Sequence, residues 1–178
     1  MNNSIFLDDF ERTEFSDEIH AVIGRSLIVA TRFDNLCKSL ARFIDFKICS
    51  IASNLITESE FDEIISKIFK NYNNLNRVIQ NFPVDEQVKD MLHDAREARN
   101  LIAHSLTIGF EGTFDHKSKD EIEEMIGEIK ILVRRVIKGD VIISTYISNM
   151  NNESLLNNCF ENSYEDQVIN WVTERYET

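Results

Sequence analysis

The chain contains very few residues that break helices: five glycines and a single proline among 178 residues. All-β sandwiches and barrels need many tight turns, which glycine and proline supply, so this scarcity disfavours them. Apolar residues instead recur every three to four positions over long stretches, which is the spacing of helices that bury one face. A chain of this length can also form one domain with its own core. We therefore predict an all-α fold, a single-domain bundle of four to five helices.

The first half of the chain predicts two long helices. Ser16 is the expected N-cap of the first, which runs for roughly 30 residues as one helix or as two in line. Thr57 begins a capping box, because a glutamate, Glu60, follows three residues later. The asparagine-rich stretch 71–76 is expected to end or bend the second helix, since asparagine is a poor helix former.

The second half of the chain predicts two more long helices. Pro83 suits a helix start, and the third helix is expected from about Val84 to Leu106. Residues 108–119 contain two glycines and are predicted to form a loop or short hairpin. The fourth helix is expected from about Asp120. Gly139 is a possible break in it, and the apolar run that follows extends the helix or forms a strand.

The formal net charge of −12 is concentrated at the two ends of the chain. Residues 1–18 and 151–178 each carry a net charge of −5, which leaves −2 for residues 19–150. This total argues against broad, sequence-blind nucleic-acid binding but leaves room for a local anion site. We expect residues 1–150 to form the bundle. Residues 151–178 are expected to be an acidic segment whose short helix docks on it, with Trp171 as a possible contact.

Several classes of protein are disfavoured by what the sequence lacks. No run approaches the ~18 apolar residues of a membrane span, and the N-terminal residues do not resemble a secretory signal. The three cysteines are widely separated, as expected of reduced thiols in a cytoplasmic protein. No metal-ligand spacing or glycine-rich phosphate loop is present. We therefore expect a cytoplasmic protein with no membrane contact, no metal and no cofactor.

The third predicted helix carries the stretch REARNLIAHS, residues 96–105, and has two different faces. On a helical wheel its apolar residues gather on one side, which we predict to be the core. These residues are Val88, Met91, Leu92, Ala95, Ala98, Ile102 and Leu106. The opposite side holds His93, Glu97, Asn100 and His104, with Arg96 beside them and Arg99 on the flank. Periodicity alone favours a solvated face, and the residue types also allow a site.

The segment from Arg99 to His104 resembles the motif of the HEPN domain family. In that motif a histidine follows an arginine after four to six residues, and a polar residue, here Asn100, often follows the arginine. The expected layout is also similar: a helical bundle with the motif on a late core helix, then a loop and another long helix. The resemblance in layout covers about residues 16–147, and that in sequence covers about ten residues.

The resemblance implies a metal-independent endoribonuclease of a toxin–antitoxin or antiviral defence system, acting as a homodimer with two motifs across a cleft. A histidine side chain titrates near ~6.5 and can exchange protons with RNA at neutral pH, while an arginine can bind the scissile phosphate. Such cleavage leaves a 2′,3′-cyclic phosphate. Arg99, His104 and Asn100 would be catalytic, and Arg96, Glu97 and His93 would bind substrate or support the site.

The helical wheel gives a separate reason to expect a homodimer. Residues five apart on a helix, such as Arg99 and His104, point ~140° apart. Two chains could supply one residue each, or a frayed helix end at His104 could bring both residues of one chain together. The expected partners are a second copy, RNA, and an antitoxin or sensor protein. The alternative is a non-catalytic helical interaction module, an adaptor or regulator that uses the same polar face.

Overall fold

The computed structural model describes residues 13–70, 72, 74–108, 117–153 and 158–174. They form six α-helices, with one 3₁₀ turn at Ser53–Leu55 and no strand within the described residues. The helices are α1 (Glu14–Ala52), α2 (Glu58–Lys70), α3 (Leu75–Gln80), α4 (Glu86–His104), α5 (Lys119–Met150) and α6 (Asn158–Thr173). The prediction of an all-α bundle is confirmed. Most of the predicted loop 108–119 lies outside the described residues, as do residues 1–12.

Side-chain caps fix the helix starts, and they correct two predicted boundaries. Thr13, not Ser16, is the N-cap of α1: its hydroxyl accepts from the Ser16 N–H, and Ser16 bonds back to the Thr13 N–H. The third predicted helix begins at Glu86 rather than beside Pro83, because the Asp85 carboxylate accepts from the Val88 N–H. The Thr57–Glu60 capping box is confirmed.

Three long helices, α1, α4 and α5, pack against one another and enclose most of the core. Helix α5 runs without a break from Lys119 to Met150, so the possible break at Gly139 and the alternative strand after it do not occur. Gly139 instead permits a close approach of three helices. A Cβ atom there would lie 2.5 Å from the Ala95 Cβ of α4 and 2.7 Å from the Phe33 ring of α1.

The C-terminal helix α6 packs against α1 and α5. Its buried residues are Ile169 and Val172, whereas Trp171 is 47% exposed and is not one of them. Trp171 directly precedes Val172 in the chain and therefore points ~100° away from it around the helix. The Arg25 guanidinium of α1 donates to the carbonyl oxygens of Val172 and Glu174. It thereby satisfies carbonyl groups that a helix end leaves without partners.

A buried carboxylate also joins α5 to α1 and α6. Asp140 is 2% exposed, and its oxygens accept from the Arg32 Nε at 3.3 Å and from the Tyr164 hydroxyl at 2.6 Å. Burial, together with the bond to Asp140, raises the pKa of Tyr164 to about 12. Pairing of this kind is what makes a buried charge tolerable.

No helix in the described part of the chain has both the length and the apolar character that crossing a bilayer requires.

A cationic cleft beside the Arg99–His104 motif

The apolar side of α4 faces the core largely as the helical wheel predicts. Leu92, Ala95, Ala98 and Ile102 are buried. Met91 is an exception: it is 43% exposed, because it lies at the rim of a groove between α4 and α5 that Ile137 and Val141 also line. The prediction that Met91 belongs to the core is therefore wrong. The four buried residues confirm which side of the helix faces the core, and so the position of the motif relative to it.

The arginines of α4 are not part of a freely solvated face. The side chains of Arg96 and Arg99 are only 23% and 24% exposed. They line a cleft that also involves α1 and the start of α3, so this edge of α4 is covered on two sides.

Arg99 is held in place by two partners. Its Nη2 donates to Asp34 Oδ2 on α1 at 3.0 Å, and its Nη1 donates to Asn100 Oδ1 at 3.1 Å. Asp34 is buried, and its Oδ2 also accepts from Lys38 Nζ at 3.0 Å, one helical turn further along α1. Because the guanidinium is charged, both of these hydrogen bonds are charge-assisted. They hold its plane more firmly than hydrogen bonds between neutral groups would. Asn100 therefore contacts Arg99, its neighbour in the motif.

The cleft itself is polar and positively charged. It has a volume of about 440 Å³. Its lining comprises Lys38, Arg96 and Arg99, one carboxylate, three asparagines and one leucine: Asp34, Asn74, Asn76, Asn100 and Leu75. Three cations against one carboxylate give this lining a formal charge of +2 in a chain whose net charge is −12. Such a local reversal of sign attracts anions.

The remaining predicted site residues do not line the cleft. His104 is exposed and is the last residue of α4, so the helix ends at the motif histidine. The Ser105 N–H closes the final turn on the Leu101 carbonyl. The Glu97 carboxylate lies 3.8 Å from Arg96 and 4.0 Å from Arg135 of α5.

His93 contacts the far end of α3, away from the residues of that helix that line the cleft. One ring nitrogen, Nε2, lies 2.8 Å from Gln80 Nε2 of α3, and the other, Nδ1, is buried without a partner in the described structure. The structure thus brings Arg96, Arg99 and Asn100 together at one cleft. His93, Glu97 and His104 are not part of that lining.

Two charged residues of the cleft, Asp34 and Lys38, were missed by the sequence analysis. Their spacing of four residues was visible, and it places both beside the apolar stripe that contains Phe33 and Cys37. The pairing with Arg99 was not visible, because 65 positions separate Asp34 from Arg99 in the chain. The Cys37 thiol lies near the same carboxylate. Its burial and the nearby charges of Asp34 and Asp140 raise its pKa.

Within the described residues, no group of three or more histidine, cysteine, aspartate or glutamate side chains is arranged to hold a metal ion. Comparison of the chain with protein-family models, curated proteins and solved structures gives no match.

Proposed function

We propose that this protein is a metal-independent endoribonuclease in which Arg99 and His104 carry the reaction. One observation carries the proposal. An arginine of the motif is fixed at a cationic cleft by Asp34 and Asn100, while the motif histidine stands exposed at the end of the same helix. An arginine held for an anion and a histidine open to solvent are the two groups that cleavage of an RNA phosphodiester requires.

The reaction uses each residue in a defined way. One proton leaves the RNA 2′-hydroxyl and one reaches the leaving 5′-oxygen: a His104 imidazole accepts the first or its imidazolium donates the second, and water carries out the other transfer. The 2′-oxygen forms a bond to phosphorus as the bond from phosphorus to the 5′-oxygen breaks, which leaves a 2′,3′-cyclic phosphate and a 5′-hydroxyl. The Arg99 guanidinium offsets the charge that develops on the phosphoryl oxygens. Asn100 orients Arg99, and Arg96 binds the RNA backbone.

Glu97 and His93 act as supporting residues in this proposal. Glu97 is the nearest carboxylate to Arg96, with their charged groups 3.8 Å apart, so it restrains a cation that contacts RNA. His93 links α4 to α3 through Gln80 and so supports the wall of the cleft. Neither residue touches the substrate directly.

The proposed active form is a homodimer, since the two motif residues point to different sides of a helix that is regular through His104. Support for this arrangement comes from the surface around His104. Leu101 is 43% exposed and Ile108 is 67% exposed, so two aliphatic side chains flank the histidine. In a dimer these side chains would lose contact with water, and His104 of one chain would approach Arg99 of the other.

The biological setting follows only from the resemblance of the motif to the HEPN family. It is that of a cytoplasmic toxin or antiviral effector, restrained by an antitoxin or triggered by a sensor protein.

The proposal is tested by incubating the purified protein with a mixed RNA pool in the presence of EDTA. Wild type should cleave RNA but not DNA and leave cyclic-phosphate ends, and His104→Ala should be inactive. Arg99→Lys should be strongly impaired, because lysine keeps the charge but loses the planar pair of donors. Each variant is compared with wild type by circular dichroism and light scattering. Cleavage by His104→Ala at the wild-type rate would overturn the assignment.

A second candidate function, a non-catalytic interaction module, is favoured by the outer face of α1. Its exposed residues between positions 19 and 44 include no carboxylate, although the chain has 31 acidic residues. These residues are His20, Gly24, Leu27, Ile28, Thr31, Arg32, Asn35, Ser39 and Phe43. Under this alternative, Leu27→Glu should abolish association with the partner, while His104→Ala should leave it intact.

A further inference from the structure

Two of the three positive charges in the cleft between α1, α3 and α4 lie close together. Lys38 Nζ and Arg99 Nη2 each lie 3.0 Å from the same oxygen of Asp34, so these two nitrogens are at most 6.0 Å apart. Arg96 lies one helical turn before Arg99 on the same side of α4 and lines the same cleft. Lys38 and Arg99 are therefore close together at Asp34, and Arg96 lines the same cleft, whereas a groove that follows a nucleic-acid backbone spreads its cations along a line.

The guanidinium groups of Arg96 and Arg99 still have hydrogen-bond donors to offer. The Nε of Arg96 and the Nε of Arg99 are buried and have no acceptor within the described residues. An arginine has five N–H donors, and Arg99 bonds to only two acceptors, Asp34 and Asn100. The ion contact of Arg96 with Glu97 is long, at 3.8 Å. Both Nε atoms are buried out of reach of a ligand, but the terminal nitrogens of these arginines, which line the cleft, keep N–H donors that a ligand rich in oxygen atoms can accept.

The charge of the lining can be compared with the charge of a phosphate. Lys38, Arg96 and Arg99 against Asp34 leave a formal charge of +2. A phosphate monoester carries about −1.5 to −2 at pH 7, whereas each internal phosphodiester of a nucleic acid carries a single negative charge. The +2 charge of the lining can therefore offset the full charge of one monoester.

The rest of the cleft has the size and the polarity to hold more than the phosphate. Its volume of about 440 Å³ lies within the range of small-ligand sites. Asn74 and Asn76 add side-chain amides at the α3 side, and an amide can both donate to and accept from the edge of a base. Leu75 supplies an apolar contact between them.

We propose that this cleft also binds, in competition with the scissile phosphodiester of RNA, a terminal phosphate monoester, that of a free ribonucleotide or of a 5′-phosphorylated RNA end, through Lys38, Arg96 and Arg99. The inference rests on the proposed function in that the ligand is RNA or derived from RNA. It adds two residues outside the motif: Lys38 as a direct phosphate ligand, and Asp34 as the carboxylate that holds Lys38 and Arg99 at the correct spacing.

Calorimetric titration of the His104→Ala protein tests the proposal without RNA cleavage. The probes are adenosine 5′-monophosphate, adenosine, and one short oligoribonucleotide with either a 5′-phosphate or a 5′-hydroxyl. The phosphorylated member of each pair should bind about tenfold more tightly or better, which corresponds to the loss of one charged hydrogen bond. If adenosine 5′-monophosphate binds more tightly than the 5′-phosphorylated oligoribonucleotide, the ligand is a free nucleotide. If the 5′-phosphorylated oligoribonucleotide binds more tightly, the ligand is an RNA end.

Substitutions in the same background locate the site. Lys38→Gln and Arg96→Gln should each weaken binding of the phosphorylated probe about tenfold and lower the salt dependence of its affinity by about one phosphate contact. Lys119→Gln is the matched control: it removes the same charge from a side chain that is 87% exposed at the start of α5, and it should leave binding unchanged. Circular dichroism confirms that each variant is folded.

Two results would overturn the inference: equal affinity for phosphorylated and unphosphorylated probes, or binding that Lys38→Gln and Arg96→Gln leave unaltered. The cleavage assay on the wild type separates this outcome from failure of the proposed function. Phosphate binding without any RNA cleavage contradicts only the ribonuclease. Cleavage without selective phosphate binding contradicts only the monoester site.

Discussion

Replacing Gly139 with alanine should destabilise the protein, because three helices meet at this glycine. The new methyl group would lie 2.5 Å from the Ala95 Cβ and 2.7 Å from the Phe33 ring, whereas carbon atoms in contact are ~3.5–4.0 Å apart. Neither neighbour can move easily: Ala95 has no rotamers, and Phe33 is completely buried. Overpacking of this kind costs about 1–3 kcal/mol, and the higher helix propensity of alanine returns up to ~1 kcal/mol. The expected net loss is about 1–2 kcal/mol.

Urea unfolding followed by circular dichroism measures this loss, and two other glycines provide controls. Gly24 and Gly127 also lie inside long helices, but a Cβ atom at either position would meet nothing within 4 Å. Alanine at these positions should therefore stabilise the protein by about 0.5–1 kcal/mol. Opposite signs at Gly139 and at the two controls are expected. A Gly139→Ala protein as stable as Gly24→Ala would refute the close packing of α1, α4 and α5.

Other predictions concern the buried polar groups and a helix cap. Tyr164→Phe should lower the free energy of unfolding in urea by about 1.5–3 kcal/mol, since the hydroxyl donates to the buried Asp140 carboxylate. The pKa of Tyr164 is about 12 in the folded protein and ~10 in the unfolded chain. Its contribution to the free energy of unfolding is therefore complete below pH ~10 and should be lost as the pH rises through 12. Ultraviolet titration of the wild type should show two late tyrosines, because burial and a bond to Asp45 raise the pKa of Tyr72 to about 12 as well, and Tyr164→Phe should remove one of them. An unchanged late component in Tyr164→Phe would contradict the buried bond. Because burial raises its pKa, Cys37 should resist alkylation in the folded protein while the half-buried Cys49 reacts, as mass spectrometry of peptides would show. Thr13→Ala should cost about 1 kcal/mol in the same urea assay, and an unchanged midpoint would exclude its capping role.

The helices could be predicted from the sequence, but the residues at which they begin and end could be predicted less well. Long apolar stripes interrupted by few glycines specify helices directly, which explains why the bundle was predictable. Thr13 and Ser16 are both good N-caps and bond to each other, so the residue types alone do not tell which one begins α1. Gly139 shows the same limit: only the positions of Ala95 and Phe33 reveal that it is a packing contact rather than a break.

The candidate site was predictable only on its own helix. The helical wheel correctly put Arg99 at the flank of α4, next to a buried apolar side. It could not identify Asp34, which lies 65 positions earlier and becomes the partner of Arg99 through the packing of α1 on α4. The polar face therefore looked solvated, whereas Arg96 and Arg99 are mostly buried at the cleft.

The most direct test of the central proposal, a site shared between two chains, is the activity of a mixed dimer. Arg99→Gln and His104→Ala chains, each inactive alone, are co-expressed with different tags, and dimers that carry both tags are purified. If each site takes its arginine from one chain and its histidine from the other, one of the two sites in the mixed dimer is intact. We then expect about half of the wild-type rate of RNA cleavage. A mixed dimer with no activity, beside an active wild type, would contradict the shared site.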